Sequence, residues 1–384
     1  MNWRDEATRI RAETGKSWRN IADEVGVNRR TVERWVQSQN KTAAEIAEPV
    51  SPDMTPYQQT VHTKLDPETG EMVVSNIWAR SSSRDAQKIS TLQAFGDALV
   101  QRVQGLAEPV ILPEPIVSDR INVIPMGDPH FGMRGWKPEA GDHFDIDIAR
   151  KLMVGAAHYI CSVAPPADTA LLINLGDMLH ADNGKNETPG SGHPLDVDGR
   201  FAKVFMAAVD VMQEIVELLL KKHNKVIVRN VRGNHDPTLS WCLTVAMHAY
   251  WRNEPRVTID LEPGDYWFFE FGKILIGACH GHLAKADALP GIMARDAKIA
   301  WGRTDHHHWY VGHFHHQYIR DIQGVNVEVC RTLAPSDAWA HGAGYRSLRS
   351  LDCITLHKEW GYETRARCCD KRAMATYEAM EVAA

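Results

Sequence analysis

Residues Ala170 to Asp177 read Ala-Leu-Leu-Ile-Asn-Leu-Gly-Asp, a short apolar run that ends in a carboxylate. Such a run predicts a buried strand, and Gly176 marks the point where the strand gives way to a loop. Four similar apolar runs precede polar motifs elsewhere in the chain: Ile121 to Met126, Val226 to Val231, Ile274 to Cys279 and Trp309 to Val311. We therefore expect a sheet whose strand ends deliver polar side chains to one edge.

The polar residues at these strand ends are carboxylates, a carboxamide and imidazoles. They stand in the motifs Asp128-Pro129-His130, Gly176-Asp177, Gly233-Asn234-His235-Asp236, His280-Gly281-His282 and Gly312-His313-Phe314-His315. Mixed oxygen and imidazole ligands suit manganese, iron or zinc better than calcium, without choosing among the three. Any one motif alone could occupy a turn or cap a loop, but the five together predict a metal site.

The chemistry of such a site follows from its charges. Two divalent ions roughly 3.5 to 4 Å apart can hold a hydroxide between them and clamp the oxygens of a phosphate during an in-line displacement. The two ions carry four positive charges, of which Asp128, Asp177 and the hydroxide balance three. Neutral Asn234 and the imidazoles preserve the surplus, which attracts a phosphate anion. The motifs thus predict a metal-dependent phosphoesterase.

Composition sets the broad class of the protein. The chain has 384 residues and is 44% apolar, which suits a soluble core and more than one domain. Its apolar stretches fall far short of the roughly 18 to 20 residues that span a bilayer, and its first residues lack a signal-peptide pattern. We expect a cytoplasmic protein with no membrane contact. Seven scattered cysteines predict neither disulfides nor a zinc module, and a net charge of -6 leaves nucleic-acid binding to local basic patches.

One basic patch lies near the N-terminus. Ser17 can cap a helix, Gly26 can supply a left-handed turn, and Asn28 can cap a second helix. This spacing resembles the helix-turn-helix family of DNA-binding proteins, which implies that the second helix enters the major groove. Three arginines would lead it: Arg29, Arg30 and Arg34. The alternative is a helical hairpin whose arginines form a solvated face.

Composition also divides the chain into three parts. Residues 1–40 form the helix-turn-helix unit. Residues 41–118 are rich in Pro, Ser, Thr and Glu and predict a linker with a short strand, Met72 to Val74, and an amphipathic helix, Ile89 to Val103. Residues 119–384 alternate strands with helical runs, which is α/β in character. The helical runs are Ile146 to Ser162, Arg200 to Lys222 and Thr238 to Arg252.

Three further segments carry expectations of their own. An insertion at about residues 181 to 200 is expected at the mouth of the site, and its role is open. The run His306 to His308 is expected in a polar surface loop. A basic cluster near the C-terminus could track a nucleic-acid backbone or form a solvated face. It comprises Arg346, Arg349, Lys358, Arg365, Arg367, Lys371 and Arg372.

The five motifs resemble those of the calcineurin-like metallophosphoesterase superfamily in residue type, order and spacing, over the whole of residues 119–384. The resemblance implies a β-sandwich flanked by helices. It also implies two metal ions that share Asp177 as a bridging ligand. The other ligands would be Asp128, His130 and His315 for one ion, and Asn234, His280 and His313 for the other.

The same resemblance implies roles for residues that are not ligands. His235 resembles the histidine that contacts the scissile phosphate, and Asp236 resembles the acid that orients it. His180 stands where many relatives have an acid, so its role stays open between metal-ligand support and substrate contact. The same two roles are open for His282 and Arg232.

Sequence details favour the DNA-processing branch of the superfamily. The segment after Asp177 lacks the continuation that is typical of protein Ser/Thr phosphatases, and the tyrosine ligand of purple acid phosphatases is missing. The opening motif, Asp128-Pro129-His130-Phe131-Gly132, resembles that of the SbcD-type repair nucleases. Together with the helix-turn-helix it resembles the phage and prophage metallophosphoesterases called DNA repair exonucleases, for which the host cytoplasm is the expected location.

The sequence therefore predicts a phage-type or prophage-type DNA phosphodiesterase with two divalent ions, which we expect to be manganese by resemblance to the nucleases. Two alternatives stay open. One is a phosphomonoesterase or cyclic-nucleotide phosphodiesterase with the same metals, and the other is a DNA-binding regulator or packaging adaptor with a mainly structural phosphoesterase domain. DNA is the expected partner and a homodimer stays open. Endonuclease or exonuclease action, polarity and strand preference are not determined by the sequence.

Overall fold

The structure, a computed structural model, describes residues 2–33, 56–65, 72–81, 96, 97, 101, 105 and 118–383. The chain divides into two units, Met1–Ala98 and Leu99–Ala384. Two sequence predictions lie outside the described residues: Arg34, and the apolar face of a helix from Ile89 to Val103. Within the described residues, no helix is both long and apolar enough to cross a membrane.

The first unit begins with helices α1 (Trp3–Thr14) and α2 (Trp18–Glu24), and residues 29–33 are again helical. The Ser17 hydroxyl accepts a hydrogen bond from a backbone amide of α2 at 3.4 Å. Gly26 has a φ of 66°, and the Asn28 side chain accepts from the backbone amide two residues later at 3.0 Å. The helical segments and their caps occur in the predicted order, while DNA binding stays a prediction.

Two further strands follow in the first unit. Strands β1 (Pro56–Leu65) and β2 (Met72–Ser81) pair in antiparallel fashion. The predicted short strand at Met72 forms the beginning of β2. Strand β1 was not expected, because its sequence of Gln, Thr, His and Lys residues lacks a clear apolar alternation.

The second unit contains two sheets. The first has the order β13-β12-β3-β4-β5-β6, in which β3 to β6 run parallel and β12 and β13 are antiparallel. Its strands are β3 (Arg120–Met126), β4 (Thr169–Asn174), β5 (Lys225–Asn230), β6 (Val257–Ile259), β12 (Ser350–His357) and β13 (Gly361–Cys369). Strands β3, β4 and β5 confirm three of the predicted apolar runs.

The second sheet has the order β10-β11-β9-β8-β7, with β8, β9 and β11 mutually parallel. Its strands are β7 (Trp267–Phe271), β8 (Ile274–Cys279), β9 (His306–Val311), β10 (Tyr318–Ile322) and β11 (Val325–Val329). The expectation of a surface loop at His306 to His308 is wrong, because these residues begin β9. The ring of His307 stacks on Trp301 at 4.0 Å, and His308 is only 9% exposed.

The helices of the second unit flank the two sheets or pack on one another. They are α3 (Lys137–Ala140), α4 (Ile146–Val163), α5 (Phe201–Leu220), α6 (Leu239–Trp251), α7 (Leu289–Asp296), α8 (Lys298–Trp301), α9 (Ala338–Gly342) and α10 (Asp370–Ala383). Helices α4, α5 and α6 confirm the three predicted helical runs. Leu289 and Met293 of α7 pack with Trp309 on the outer face of the second sheet.

The inner faces of the two sheets meet in one apolar core. Ile121, Leu171 and Ile173 of the first sheet lie in the same buried cluster as Ile276 and Tyr310 of the second. The predicted α/β architecture, a two-sheet sandwich flanked by helices, is therefore confirmed. Because parallel strands end at the same edge of a sheet, the loops after β3, β4 and β5 and those after β8 and β9 are brought to one end of the sandwich.

Candidate metal centre

The predicted ligands lie in five loops that follow strands of both sheets. The loops after β3, β4 and β5 hold Asp128, His130, Asp177 and Asn234, and the loops after β8 and β9 hold His280, His313 and His315. Among the described residues, ligand atoms within 4.8 Å of one another form three groups: Asp128 with His130 and His315, Asp177 with His280 and His313, and His130 with His180 and His235. We call the first two groups, which contain the carboxylates, the triads. Six of the seven predicted ligands thus meet in two triads, and Asn234 contacts the second.

The first triad converges through its ring nitrogens. His130 Nε2 lies 3.1 Å from His315 Nε2, and the latter lies 3.5 Å from Asp128 Oδ1. Asp128 is 0% exposed and His130 is 3% exposed. Both Asp128 oxygens accept the backbone N–H of His313 at 2.9 Å, which fixes the carboxylate relative to the second triad.

The second triad is held from outside by the backbone. His280 Nδ1 donates to the carbonyl oxygen of Leu175 at 2.8 Å, so Nε2 is the ring nitrogen left for a ligand. That Nε2 lies 3.2 Å from Asp177 Oδ2 and 2.9 Å from Asn234 Oδ1. The Nδ1 atom of His280 also lies 3.8 Å from Asp128 Oδ1. The two triads are therefore adjacent.

The donor chemistry of the triads fits divalent metal ions. In the part of the chain that the structure describes, neither Asp128 nor Asp177 forms an ion pair with a lysine or arginine, and histidines are their ion-pair partners. A buried carboxylate needs a cation or several hydrogen bonds to offset its desolvation. Two carboxylates, a carboxamide and four imidazoles in this arrangement suit manganese, iron or zinc.

The backbone of the ligand loops is unusual. Among the described residues, seven that are not glycine have a positive φ, and five of them are predicted ligands. These five are Asp128 (46°), His130 (49°), Asp177 (50°), His313 (68°) and His315 (55°). Left-handed residues other than glycine are uncommon and cluster at functional sites, since the surrounding structure must hold them there.

Gly233 permits the close approach of two of these loops. A Cβ at this position would lie 2.0 Å from Asp177 Oδ1, 2.2 Å from Asp177 N and 2.7 Å from Asp236 Oδ1. Any side chain would therefore displace the Asp177 carboxylate. The Gly-Asn-His-Asp motif needs its glycine for this contact.

His235 is bonded to the backbone of a neighbouring loop. Its Nδ1 donates to the carbonyl oxygen of His180 at 2.9 Å, so Nε2 is the nitrogen available to a substrate. The two rings stack with centroids 5.4 Å apart. His180 Nδ1 also lies 3.3 Å from His130 Nδ1. If His130 binds a metal through Nε2, its Nδ1–H donates to His180, which is the usual support of a ligating histidine.

Asp236 does not have the role that the resemblance implied. Its carboxylate accepts the backbone amides of Asp177 (3.2 Å), Leu179 (3.1 Å) and Gly233 (3.2 Å) and forms no hydrogen bond with the His235 ring in the described structure. Asp236 therefore positions the loop that carries Asp177. The group that orients His235 is a main-chain carbonyl, which residue identity alone does not reveal.

The remaining candidates flank the second triad. Nε and Nη2 of Arg232 donate to the Asp265 carboxylate, at 2.9 and 2.8 Å. His282 lies beside His280, with ring centroids 5.3 Å apart, and its buried Nδ1 lacks a hydrogen-bond partner in the described structure. Asp182, at the start of the insertion, accepts two backbone amides at the beginning of α6. The insertion is thereby anchored next to the site.

Each triad contains one ring whose pKa is raised by a neighbouring carboxylate. Burial opposes charge on His280, but the Asp177 carboxylate outweighs it and raises the pKa of His280 to about 10. Burial likewise opposes charge on His315, and Asp128 raises the pKa of that ring. Burial lowers the pKa of His313 to about 4 and that of His130 well below its usual value, so these two rings are neutral.

These pKa shifts predict how metal affinity depends on pH. An ion in the second triad must displace the proton of His280, whose pKa is about 10, so we expect metal affinity to increase with pH, by about tenfold per pH unit for each proton released. Calorimetric titration with Mn²⁺ in two buffers of different ionisation enthalpy, between about pH 6 and 8, measures the metal affinity and the number of protons released. Release of no protons would contradict the assignment of His280 as a ligand.

No protein-family model and no curated protein matches the chain. Several solved structures resemble this one in fold. One is an archaeal phosphodiesterase that is 14% identical over 65% of this chain and 99% of its own, with a TM-score of 0.33. A predicted phosphoesterase from Streptococcus pneumoniae is 12% identical over 66% and 99%, with a TM-score of 0.27. The zinc-bound vacuolar protein sorting 29 of Entamoeba histolytica is 14% identical over 65% and 99%, with a TM-score of 0.28. Likeness at this level adds nothing to the site geometry.

Proposed function

We propose that this chain is a dinuclear metal-dependent phosphodiesterase of the calcineurin-like superfamily that hydrolyses DNA, a nuclease of phage or prophage type that uses manganese. The observation that carries the proposal is the pair of adjacent triads, whose buried carboxylates lack lysine or arginine partners within the described residues. Two cations at these positions would satisfy both carboxylates and leave a positive surplus for a phosphate anion.

The chain's own residues divide the work. When bound, divalent ions would activate water and neutralise charge on the phosphate. Asp128 and Asp177 would hold the ions, and the carbonyl of Leu175 orients His280 toward them. His235, oriented by the His180 carbonyl through Nδ1–H, would in its imidazolium form donate a proton or a hydrogen bond from Nε2 to a phosphate oxygen or to the leaving oxygen.

One assay panel tests the function and separates the alternatives. Metal content is measured first, and hydrolysis is then followed with single-stranded DNA, duplex ends, bis-p-nitrophenyl phosphate and p-nitrophenyl phosphate. We expect two ions per chain and cleavage of the diester and of DNA. Hydrolysis of the monoester alone would identify a phosphomonoesterase. DNA binding without any hydrolysis would favour a regulator or packaging adaptor.

Support for a DNA substrate comes from the N-terminal unit rather than from the C-terminal basic cluster. Arg365 binds Glu328 at 2.5 Å and Asp352 at 2.9 Å, and Arg367 binds Asp352 at 2.7 Å. These two arginines are neutralised within the fold. By contrast, Arg29 and Arg30 lie in the exposed first turn of the helical segment at residues 29–33.

Duplex binding should depend on these two arginines. Arg29 is paired with Asp23 at 2.5 Å, an exposed contact that a phosphate can replace at little cost. We expect the double change Arg29→Ala and Arg30→Ala to weaken duplex binding and to reduce the log-log salt slope by about one unit per lost phosphate contact. Fluorescence anisotropy at several salt concentrations measures both effects.

A matched control is Arg9→Ala, which removes an exposed arginine of α1 that pairs with Glu6 and Glu13. We expect it to bind duplex DNA as the unaltered protein does. If the double variant also keeps its affinity and slope, the N-terminal unit does not contact DNA through these residues and is better interpreted as a protein-interaction element.

A further inference from the structure

Three aromatic side chains extend outward from the candidate metal centre. Phe314, His316 and Tyr318 occupy alternate positions of the segment that leads into β10, and their ring centroids are separated by 6.1 and 5.7 Å. The Phe314 ring also lies 5.1 Å from that of His313. We call Phe314, His316 and Tyr318 the aromatic row. It begins beside the predicted ligand His313 and reaches the first residue of β10.

The rings of the aromatic row are held in place, and two of the three are exposed. His316 Nδ1 donates to the carbonyl oxygen of Phe314 at 2.8 Å, which fixes the imidazole. The Phe314 ring lies over Gly281, where an added Cβ would approach it to 3.3 Å. Even so, Phe314 is 42% exposed and His316 is exposed, while Tyr318 is half-buried against the cluster that contains Trp309. Each ring therefore keeps some surface open to a ligand.

We propose that the aromatic row stacks the bases of single-stranded DNA whose phosphate occupies the metal centre. The proposal rests on the proposed DNA phosphodiesterase activity and extends it to strand preference. Every base has a π-face, so a row of aromatic rings can stack on successive bases whatever the nucleotide sequence is. In a duplex those faces are covered by neighbouring base pairs, and only an unpaired strand presents them along its length.

Charge in the same region supports a nucleic-acid strand over a small ligand. Arg320, two residues after Tyr318 in β10, is exposed and lies 3.2 Å from Asp287 in an exposed pair. A phosphate can take the place of an exposed carboxylate partner at little cost. The row therefore connects a positive centre that would hold one phosphate with an arginine that would hold another.

The test uses the full chain loaded with Mn²⁺ and a fluorescent phosphorothioate oligonucleotide of about 12 nucleotides, a length within the usual range of single-strand sites. We expect Tyr318→Leu and His316→Leu each to weaken binding about tenfold, the scale of losing one stacked base. Tyr318→Phe keeps a ring and should bind like the unaltered protein. A 2-aminopurine base in the oligonucleotide should change its fluorescence on binding to the unaltered protein and less so with the leucine variants.

A control variant and two contrary outcomes complete the experiment. Trp360→Leu removes another exposed aromatic residue, 76% exposed between β12 and β13, and should leave binding unchanged. Leucine variants that bind normally, or a Tyr318→Phe variant as weak as Tyr318→Leu, would overturn the stacking proposal. If the unaltered protein cleaves DNA in either case, only the aromatic row is refuted. If it neither binds nor cleaves DNA, the proposed DNA phosphodiesterase falls as well.

Discussion

Replacing Asp177 by Asn is expected to abolish phosphodiester hydrolysis and to lower bound metal from two ions toward one or none. The carboxylate is buried, its Oδ2 lies 3.2 Å from His280 Nε2, and its Oδ1 accepts the backbone N–H of His235 at 2.8 Å. A neutral amide removes the charge that a bridging ligand supplies, while its size preserves the fold. Metal analysis together with assays on DNA and bis-p-nitrophenyl phosphate measures both effects.

The matched control is Asp182→Asn, an acid only five residues further along the same loop. Asp182 Oδ1 accepts the amides of Thr238 and Leu239, at 2.9 and 2.8 Å, and an asparagine oxygen can accept them too. We expect this variant to keep both ions and its activity. Full activity and two ions in Asp177→Asn would refute the shared-ligand assignment, because no other residue is predicted to touch both ions.

His235→Ala should separate chemistry from metal binding. The ring lies close to His130 and His180 but outside the two triads that contain the carboxylates, and the His180 carbonyl orients it. We therefore expect metal content and folding to be retained. Turnover should decrease about a hundredfold or more, the scale of a positioned general acid or of a donor to developing charge. The decrease should be larger for DNA than for a nitrophenyl diester, whose leaving group needs little protonation.

The comparison of substrates makes this result informative in either direction. Equal losses on DNA and on the nitrophenyl diester would indicate that His235 stabilises a phosphate oxygen instead of protonating the leaving group. Loss of an ion from His235→Ala would show that the ring is a ligand, which is the one alternative left open by its proximity to His130, at 4.9 Å between centroids.

Apolar patterning predicted the central strands well, because each strand buried between two layers must be apolar along its whole length, whereas the sandwich itself was implied by the family resemblance. The run at Ala170 coincides with β4 to within one residue, and helices α4 to α6 end within two residues of their predicted limits. The apolar pattern failed to predict a strand where the buried residues are polar. Three consecutive histidines gave no apolar signal for the first half of β9, although one of them packs on Trp301.

The ligand set could be proposed from residue types and spacing, since the chemistry demands particular side chains after particular strands. The hydrogen-bond partners that hold those ligands in place could not be proposed in this way. The acceptor for His235 is a main-chain carbonyl, and Asp236 binds three backbone amides, so neither role follows from the identity of a side chain. Main-chain partners are set by the path of two loops, which a sequence specifies only through the complete fold.

The left-handed backbone at the five predicted ligands also limits how this site can be lost in evolution. In a descendant that no longer needed catalysis, a β-branched replacement at Asp128 or His313 would meet a backbone penalty in addition to losing the ligand. Glycine would relax the backbone, and asparagine would tolerate it. Inactive relatives that retain this fold should therefore have accumulated glycine and asparagine at these positions in preference to valine, isoleucine or threonine.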